Sequence, residues 1–98
     1  MIQHVTLYTL KDRNRLSFVK EQLETLKECN LIMDNKVVVS YEKDVPPVKS
    51  PLFAQIAHFA TFKDEKDAKL FPNSVEHLKL VKATDAYIDQ VITMDYID

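Results

Sequence analysis

The stretch MIQHVTLYTL at residues 1–10 is rich in β-branched and aromatic side chains, and it predicts a β-strand. Alternate positions place His4, Thr6 and Tyr8 on one face of that strand, and Val5 and Leu7 on the other. Neither face is clearly polar. This pattern is typical of a central strand that is covered on both sides.

The chain continues with an amphipathic segment and three further strand patterns. A helix is predicted from Asp12, a good N-cap residue, to about Cys29, with leucine and valine at helical spacing. Strands are predicted at residues 36–42, 52–62 and 88–97. The segment 43–51 contains three prolines and is predicted to be an extended loop.

The second helical region is predicted to be interrupted. Asp64 can cap a short helix, and Pro72 should end it. Asn73, followed three residues later by Glu76, resembles a capping box that starts a new helix segment. Leu78 and Val81 are expected on the inner face of this segment.

The order β-α-β-β-α-β predicts one α+β domain over residues 1–98, with a ferredoxin-like build. In this build two helices cover one face of a four-stranded antiparallel sheet. The other face would be too apolar to remain in water. Its expected members are Val5, Leu7, Phe53, Ala57, Phe59 and Val91. We therefore expect a homodimer through the open sheet face, forming an α/β barrel, with a monomer covered by its own loop as the alternative.

Composition excludes several classes of function. The chain has no glycine, which argues against the phosphate-binding loops of nucleotide-dependent enzymes. A net charge of −2 without a basic cluster argues against nucleic acid and membrane-surface partners. No apolar run approaches the roughly 20 residues of a membrane span, no signal peptide is evident, and a single cysteine cannot form an internal disulfide. These features predict a cytoplasmic protein.

Three parts of the chain resemble the stress-responsive α/β-barrel (Dabb) family: MIQHVTLYTLKD at the start, VITMDYI near the end, and the helical Val75-Glu76-His77-Leu78. The resemblance implies a ferredoxin-like protomer and a dimeric barrel. It implies little about activity, because most members have no assigned reaction. A few members, among them a plant polyketide cyclase, perform acid–base chemistry without a cofactor, and the two histidines matching His4 and His77 line their pocket.

One departure from the family pattern falls at the candidate site. The family motif reads approximately Tyr-x-x-His-Pro-x-His, whereas residues 71–77 read Phe-Pro-Asn-Ser-Val-Glu-His. Phe71 therefore replaces the tyrosine that serves the cyclase, and only the last histidine, His77, remains. A cyclase reaction that depends on this hydroxyl is not expected here.

The candidate site combines two histidines with a pocket between sheet and helices. His4 and His77 are the candidate catalytic pair, one as general base and the other orienting it or binding a substrate oxygen. The alternative is that both are hydrogen-bonded core residues. The remaining candidate pocket residues are Thr6, Tyr8, His58, Phe71, Leu78 and Val81.

His58 should face the helices beside His4, so three histidines could converge as metal ligands. The strands show no clear carboxylate on that face to support such a site, and neither a metal nor a cofactor is predicted. Three functions stay open: a homodimer that binds a small apolar or aromatic molecule and is stress-associated; a cofactor-free acid–base enzyme of cyclase, isomerase or monooxygenase type; and a structural, stress-associated dimer without a ligand.

Overall fold

The computed structural model describes residues 1–41 and 53–98. Within these residues the chain forms strands β1 (Ile2–Leu10), β2 (Asp34–Val39), β3 (Ile56–Phe62) and β4 (Ile88–Ile97), and helices α1 (Leu16–Glu24), α2 (Glu65–Leu70) and α3 (Val75–Thr84). The strands make one antiparallel sheet in the order β2-β3-β1-β4. The ferredoxin-like βαββαβ order predicted from the sequence is confirmed, with the second helix divided in two.

Strand register gives the sheet two distinct faces. His4, Thr6 and Tyr8 of β1 stand beside Ala60, His58 and Ile56 of β3, and these residues face the helices. Val5 and Leu7 stand beside Phe59 and Ala57 on the opposite, open face. Because side chains alternate along a strand, one cross-strand pair determines which residues of the whole strand lie on each face of the sheet.

The core lies between the helices and the first of these faces. Val19 and Leu23 of α1, with Leu26 just beyond it, are almost completely buried against Ile56 and Phe62. Cys29 is buried with them as a free thiol. Asp12 accepts a hydrogen bond from the Asn14 amide, so the helical region begins where the sequence predicted. It ends in a 3₁₀ turn at Thr25–Glu28.

Several boundaries differ from the prediction. β2 begins at Asp34 and ends at Val39, and Tyr41 is 90% exposed beyond it. β3 begins at Ile56, so Phe53, which was predicted to lie within this strand, precedes it. The loop at 43–51, with Glu42 and Leu52, lies outside the described residues.

The N-cap residue of α3 differs from the one predicted. Ser74, not Asn73, is the N-cap, and its hydroxyl accepts a hydrogen bond from the His77 amide. The helix therefore starts one residue later than the Asn73–Glu76 pattern implied. Its inner face carries His77, Leu80 and Thr84, and Leu78 points away with 54% of its surface exposed.

Val91 was predicted on the open face, but it lies on the face that the helices cover. It pairs with Tyr8 and so lies on the helix side, while Ile92, Met94 and Tyr96 take the open face. The alternation was evident from the sequence, but the register of β4 against β1 was not. No helix of the described residues has the length and apolar character of a membrane span.

Candidate functional site

A cavity of about 250 Å³ opens between the helix-covered face of β1 and β4 and the inner face of α3. Its lining combines apolar side chains with histidine, threonine, tyrosine and aspartate side chains, so it offers both apolar surface and polar groups to a small molecule. Its lining residues are His4, Thr6, Tyr8, His58, Phe71, His77, Leu80, Val81, Thr84, Asp85, Ile88, Val91 and Thr93.

His4 is held at both ring nitrogens. Its Nδ1 lies 2.6 Å from Asp95 Oδ1, and because an ionised carboxylate only accepts, Nδ1 carries the proton. Nε2 lies 2.8 Å from the Thr6 hydroxyl, which donates to it when Nδ1 alone carries the ring proton. Asp95 is the β4 residue directly opposite His4, so the strand register itself creates the pair. The His4 ring is thus fixed in one orientation and one tautomer.

His77 approaches the cavity from α3. Its Nδ1 donates to the Pro72 carbonyl at 2.9 Å, which leaves Nε2 with a lone pair. Its ring packs on Phe71, with centroids 4.8 Å apart, and Phe71 packs on His4 at 5.8 Å. Phe71 therefore separates the two candidate catalytic histidines. An imidazole whose Nδ1–H is held by an acceptor can use Nε2 as a base.

His58 is the most buried of the three histidines. It is 1% exposed, and its Nε2 donates to the Asn35 amide oxygen, while the Asn35 nitrogen donates to the Leu23 carbonyl. Burial, together with the nearby His4 and His77, lowers the pKa of His58 to about 4. His58 is therefore neutral at pH 7 and stabilises the packing of β2, β3 and α1.

This pKa predicts that the protein loses stability in mild acid. The unfolded chain binds a proton at His58 near pH 6.5, whereas the folded chain does so only near pH 4. Stability is therefore highest above pH 6.5 and falls as the pH drops towards 4, by about 3 kcal/mol in total. Urea unfolding of the wild type and of His58→Gln, at one protein concentration and several pH values, measures this. Identical pH profiles for the two chains would contradict the assignment to His58.

The structure brings most of the predicted pocket residues together and leaves one out. His4, Thr6, Tyr8, His58, Phe71, His77 and Val81 all line the cavity, whereas Leu78 does not. The prediction that this sheet face lacks a carboxylate is wrong, since Asp95 lies there against His4. Thr84, Asp85 and Thr93 of the cavity lining were not predicted, nor were two polar partners of the histidines, Asn35 and Asp95. A lone aspartate inside the apolar VITMDYI stretch was the available signal for the second.

The three-histidine metal alternative is not supported by the arrangement. The nitrogens of His4 are already bound to Asp95 and Thr6, and Nε2 of His58 donates to Asn35. Over residues 1–41 and 53–98, no group of three or more His, Cys, Asp or Glu residues is placed to hold a metal ion.

Comparison with protein families gives one match across almost the whole chain. The model of the family described as "stress responsive A/B barrel domain" matches residues 2–98. No curated protein matches the chain.

Solved structures agree on the fold. A dimeric protein of unknown function with a ferredoxin-like fold from Bacteroides fragilis superposes with a TM-score of 0.77 at 21% identity, covering 99% of this chain and 95% of that one. A Dabb family protein from Mesorhizobium loti gives 0.74 at 14%, covering 99% and 95%. Hydroxynitrile lyase from Passiflora edulis gives 0.77 at 16%, covering 99% and 92%. At these identities the similarity shows the fold alone.

Proposed function

The chain belongs to the stress responsive A/B barrel domain family, and we propose that it functions as a homodimer in which each protomer binds a small apolar or aromatic molecule. The cavity between sheet and helices is the observation that carries this proposal. We further propose that the protein is cytoplasmic and has a stress-associated role, as the sequence and the family description suggest.

The size of the cavity limits the ligand. An engineered apolar cavity of about 150 Å³ is known to accept benzene, so about 250 Å³ suits a substituted single ring. Phe71 and the edges of His4 and His77 offer the aromatic contacts that favour such a ring. Nε2 of His77 can accept a hydrogen bond from a ligand hydroxyl, and so can the Thr84 oxygen, whose own proton is donated to the Leu80 carbonyl.

The open sheet face supports the dimer. Three cross-strand rows of side chains run over β3, β1 and β4 on this face: Phe59–Val5–Met94, Ala57–Leu7–Ile92 and Thr61–Gln3–Tyr96. Leu7 and Phe59 are more than a third exposed, and Ile92 and Met94 more than half exposed. The first two rows form a contiguous apolar surface, which is characteristic of a protein–protein interface. The Bacteroides fragilis neighbour with the same fold is described as dimeric.

A pair of tryptophan substitutions on α3 tests the ligand site. Val81→Trp places a large ring in the cavity, whereas Leu78→Trp adds the same side chain three residues away on the exposed surface. We expect 4-fluorophenol, followed by ¹⁹F NMR, to bind the wild type and Leu78→Trp alike, and Val81→Trp at least about tenfold more weakly. Equal binding by all three chains would contradict the cavity as the site. Absence of binding to the wild type would favour a structural dimer without a ligand.

A second candidate is a cofactor-free acid–base enzyme that uses His4 and His77. The observation in its favour is that both rings have their Nδ1–H held, by Asp95 and by the Pro72 carbonyl, so that both Nε2 atoms are basic. Phe71 cannot supply the hydroxyl of the family cyclase, so a different proton donor would be required. The lyase from Passiflora edulis shows that the fold can support catalysis.

A further inference from the structure

Asp95, His4 and Thr6 are joined in series by two short hydrogen bonds. The distances are 2.6 Å from Asp95 Oδ1 to His4 Nδ1 and 2.8 Å from His4 Nε2 to Thr6 Oγ1. A carboxylate, an imidazole and a hydroxyl in this order form the arrangement that activates a hydroxyl nucleophile in acyl transfer, whatever the fold. Here it arises from the sheet, because Asp95 pairs with His4 across β1 and β4 and Thr6 is the next residue on the same face.

The two ends of this series have different surroundings. Asp95 is about half exposed, so its carboxylate is in contact with solvent. Thr6 is 3% exposed, and it lines the cavity beside Tyr8 and His77. The carboxylate therefore lies at the solvent side of the series, and Thr6 lies at the cavity side. In this arrangement the carbonyl group of a bound substrate can contact the Thr6 hydroxyl in a space shielded from bulk water.

We propose that Thr6 Oγ1 is a nucleophile that accepts an acyl group from small activated esters or thioesters bound in the cavity. Thr6 Oγ1 forms a bond to the carbonyl carbon, and His4 Nε2 takes the hydroxyl proton. The resulting imidazolium is stabilised by Asp95. When the tetrahedral intermediate collapses, the carbon–oxygen or carbon–sulfur bond to the leaving group breaks, and His4 returns the proton to the leaving alcohol or thiol. Water, activated by His4, then hydrolyses the acyl-threonine to the free acid and regenerates Thr6.

Two neighbouring hydroxyls can assist the developing oxyanion. Burial raises the pKa of Tyr8 to about 12, although its side-chain hydrogen bond with Thr6 lowers it in part, so the phenol keeps its proton at pH 7. Thr93 Oγ1 lies 3.4 Å from Thr6 Oγ1. Both side chains line the cavity and are hydrogen-bond donors, which is the type of group that stabilises a tetrahedral oxyanion.

The test uses 4-nitrophenyl acetate as the acyl donor. Stopped-flow absorbance measures release of nitrophenolate, and peptide mass spectrometry of the acid-quenched chain locates the acetyl group. We expect an initial burst with acetyl on Thr6, and a burst rate about 100-fold lower in Asp95→Asn. Thr6→Val, which keeps the shape of the side chain, should show no burst, and Thr6→Ser should retain it. Thr25→Val is the matched control, because its hydroxyl donates to the Gln22 carbonyl on the exposed surface after α1, away from the cavity lining.

Three outcomes would overturn the proposal: acetylation confined to lysines or other histidines, a burst of equal size in Thr6→Val, or an unchanged burst rate in Asp95→Asn. Circular dichroism shows whether each variant is folded. If Thr6→Val does not fold, the comparison of Thr6→Ser with Asp95→Asn still decides the question. Failure here is distinct from failure of the proposed ligand binding. Binding of 4-fluorophenol without formation of an acyl-threonine would support the proposed ligand binding and contradict the proposed acyl transfer.

Discussion

Leu7→Asp is expected to convert the protein from a dimer to a monomer, with the mass measured by light scattering falling about twofold. Leu7 occupies the central strand of the open face, with Ala57 on one side and Ile92 on the other. In the proposed dimer a carboxylate at this position would be buried among apolar side chains without a cation. An unpaired buried charge costs several kcal/mol, which corresponds to a dissociation constant roughly a thousandfold weaker.

Position 7 is a sharper choice than the neighbouring Phe59. Phe59 pairs with Lys36 of β2, and an aspartate introduced there could form an ion pair with that lysine. Val75→Asp is the matched control, since Val75 is 77% exposed at the first turn of α3, far from the open face, where a negative charge is favourable. It should remain dimeric. A dimeric Leu7→Asp chain, or dissociation of both variants, would contradict an interface on the open sheet face.

The architecture could be predicted from the sequence because it depends on local patterns. The apolar stripe of Val19, Leu23 and Leu26 predicted one face of a helix, and all three are buried. Pro72 predicted the break between α2 and α3. These signals involve residues within one or two turns of each other, so a single sequence contains them.

The contents of the site could not be predicted to the same degree, because they depend on register between distant segments. Asp95 meets His4 only because β4 pairs with β1 at one particular offset, and a shift of one residue would turn Asp95 to the open face. Val91 was placed on the wrong face for the same reason. Leu78 was predicted to face inward, but α3 is oriented on the sheet so that Leu80 and Thr84 are buried and Leu78 is exposed. The histidines were recognised as candidates, but their partners were not.

Phe71→Ala is expected to lower the free energy of unfolding by about 3–5 kcal/mol, a large loss for a domain of this size. Phe71 is 3% exposed, and its ring packs on Phe62 at 5.2 Å and on His77 at 4.8 Å. Truncation removes this buried surface and leaves a void that joins the existing cavity. The rings of His4 and His77 would both lose a packing partner. Urea unfolding at a fixed protein concentration, analysed for dimer and monomer together, measures the loss.

Phe18→Ala provides the matched control for this truncation. Phe18 is 37% exposed on α1, and its ring contacts Tyr87 at 5.9 Å, so less apolar surface is lost and no enclosed void forms. We expect a loss below about 2 kcal/mol. Equal losses in the two variants would show that Phe71 is not a packing centre of the site. A larger loss in Phe71→Ala, with 4-fluorophenol restoring part of it, would show that the ring both supports the histidines and limits the volume open to a ligand.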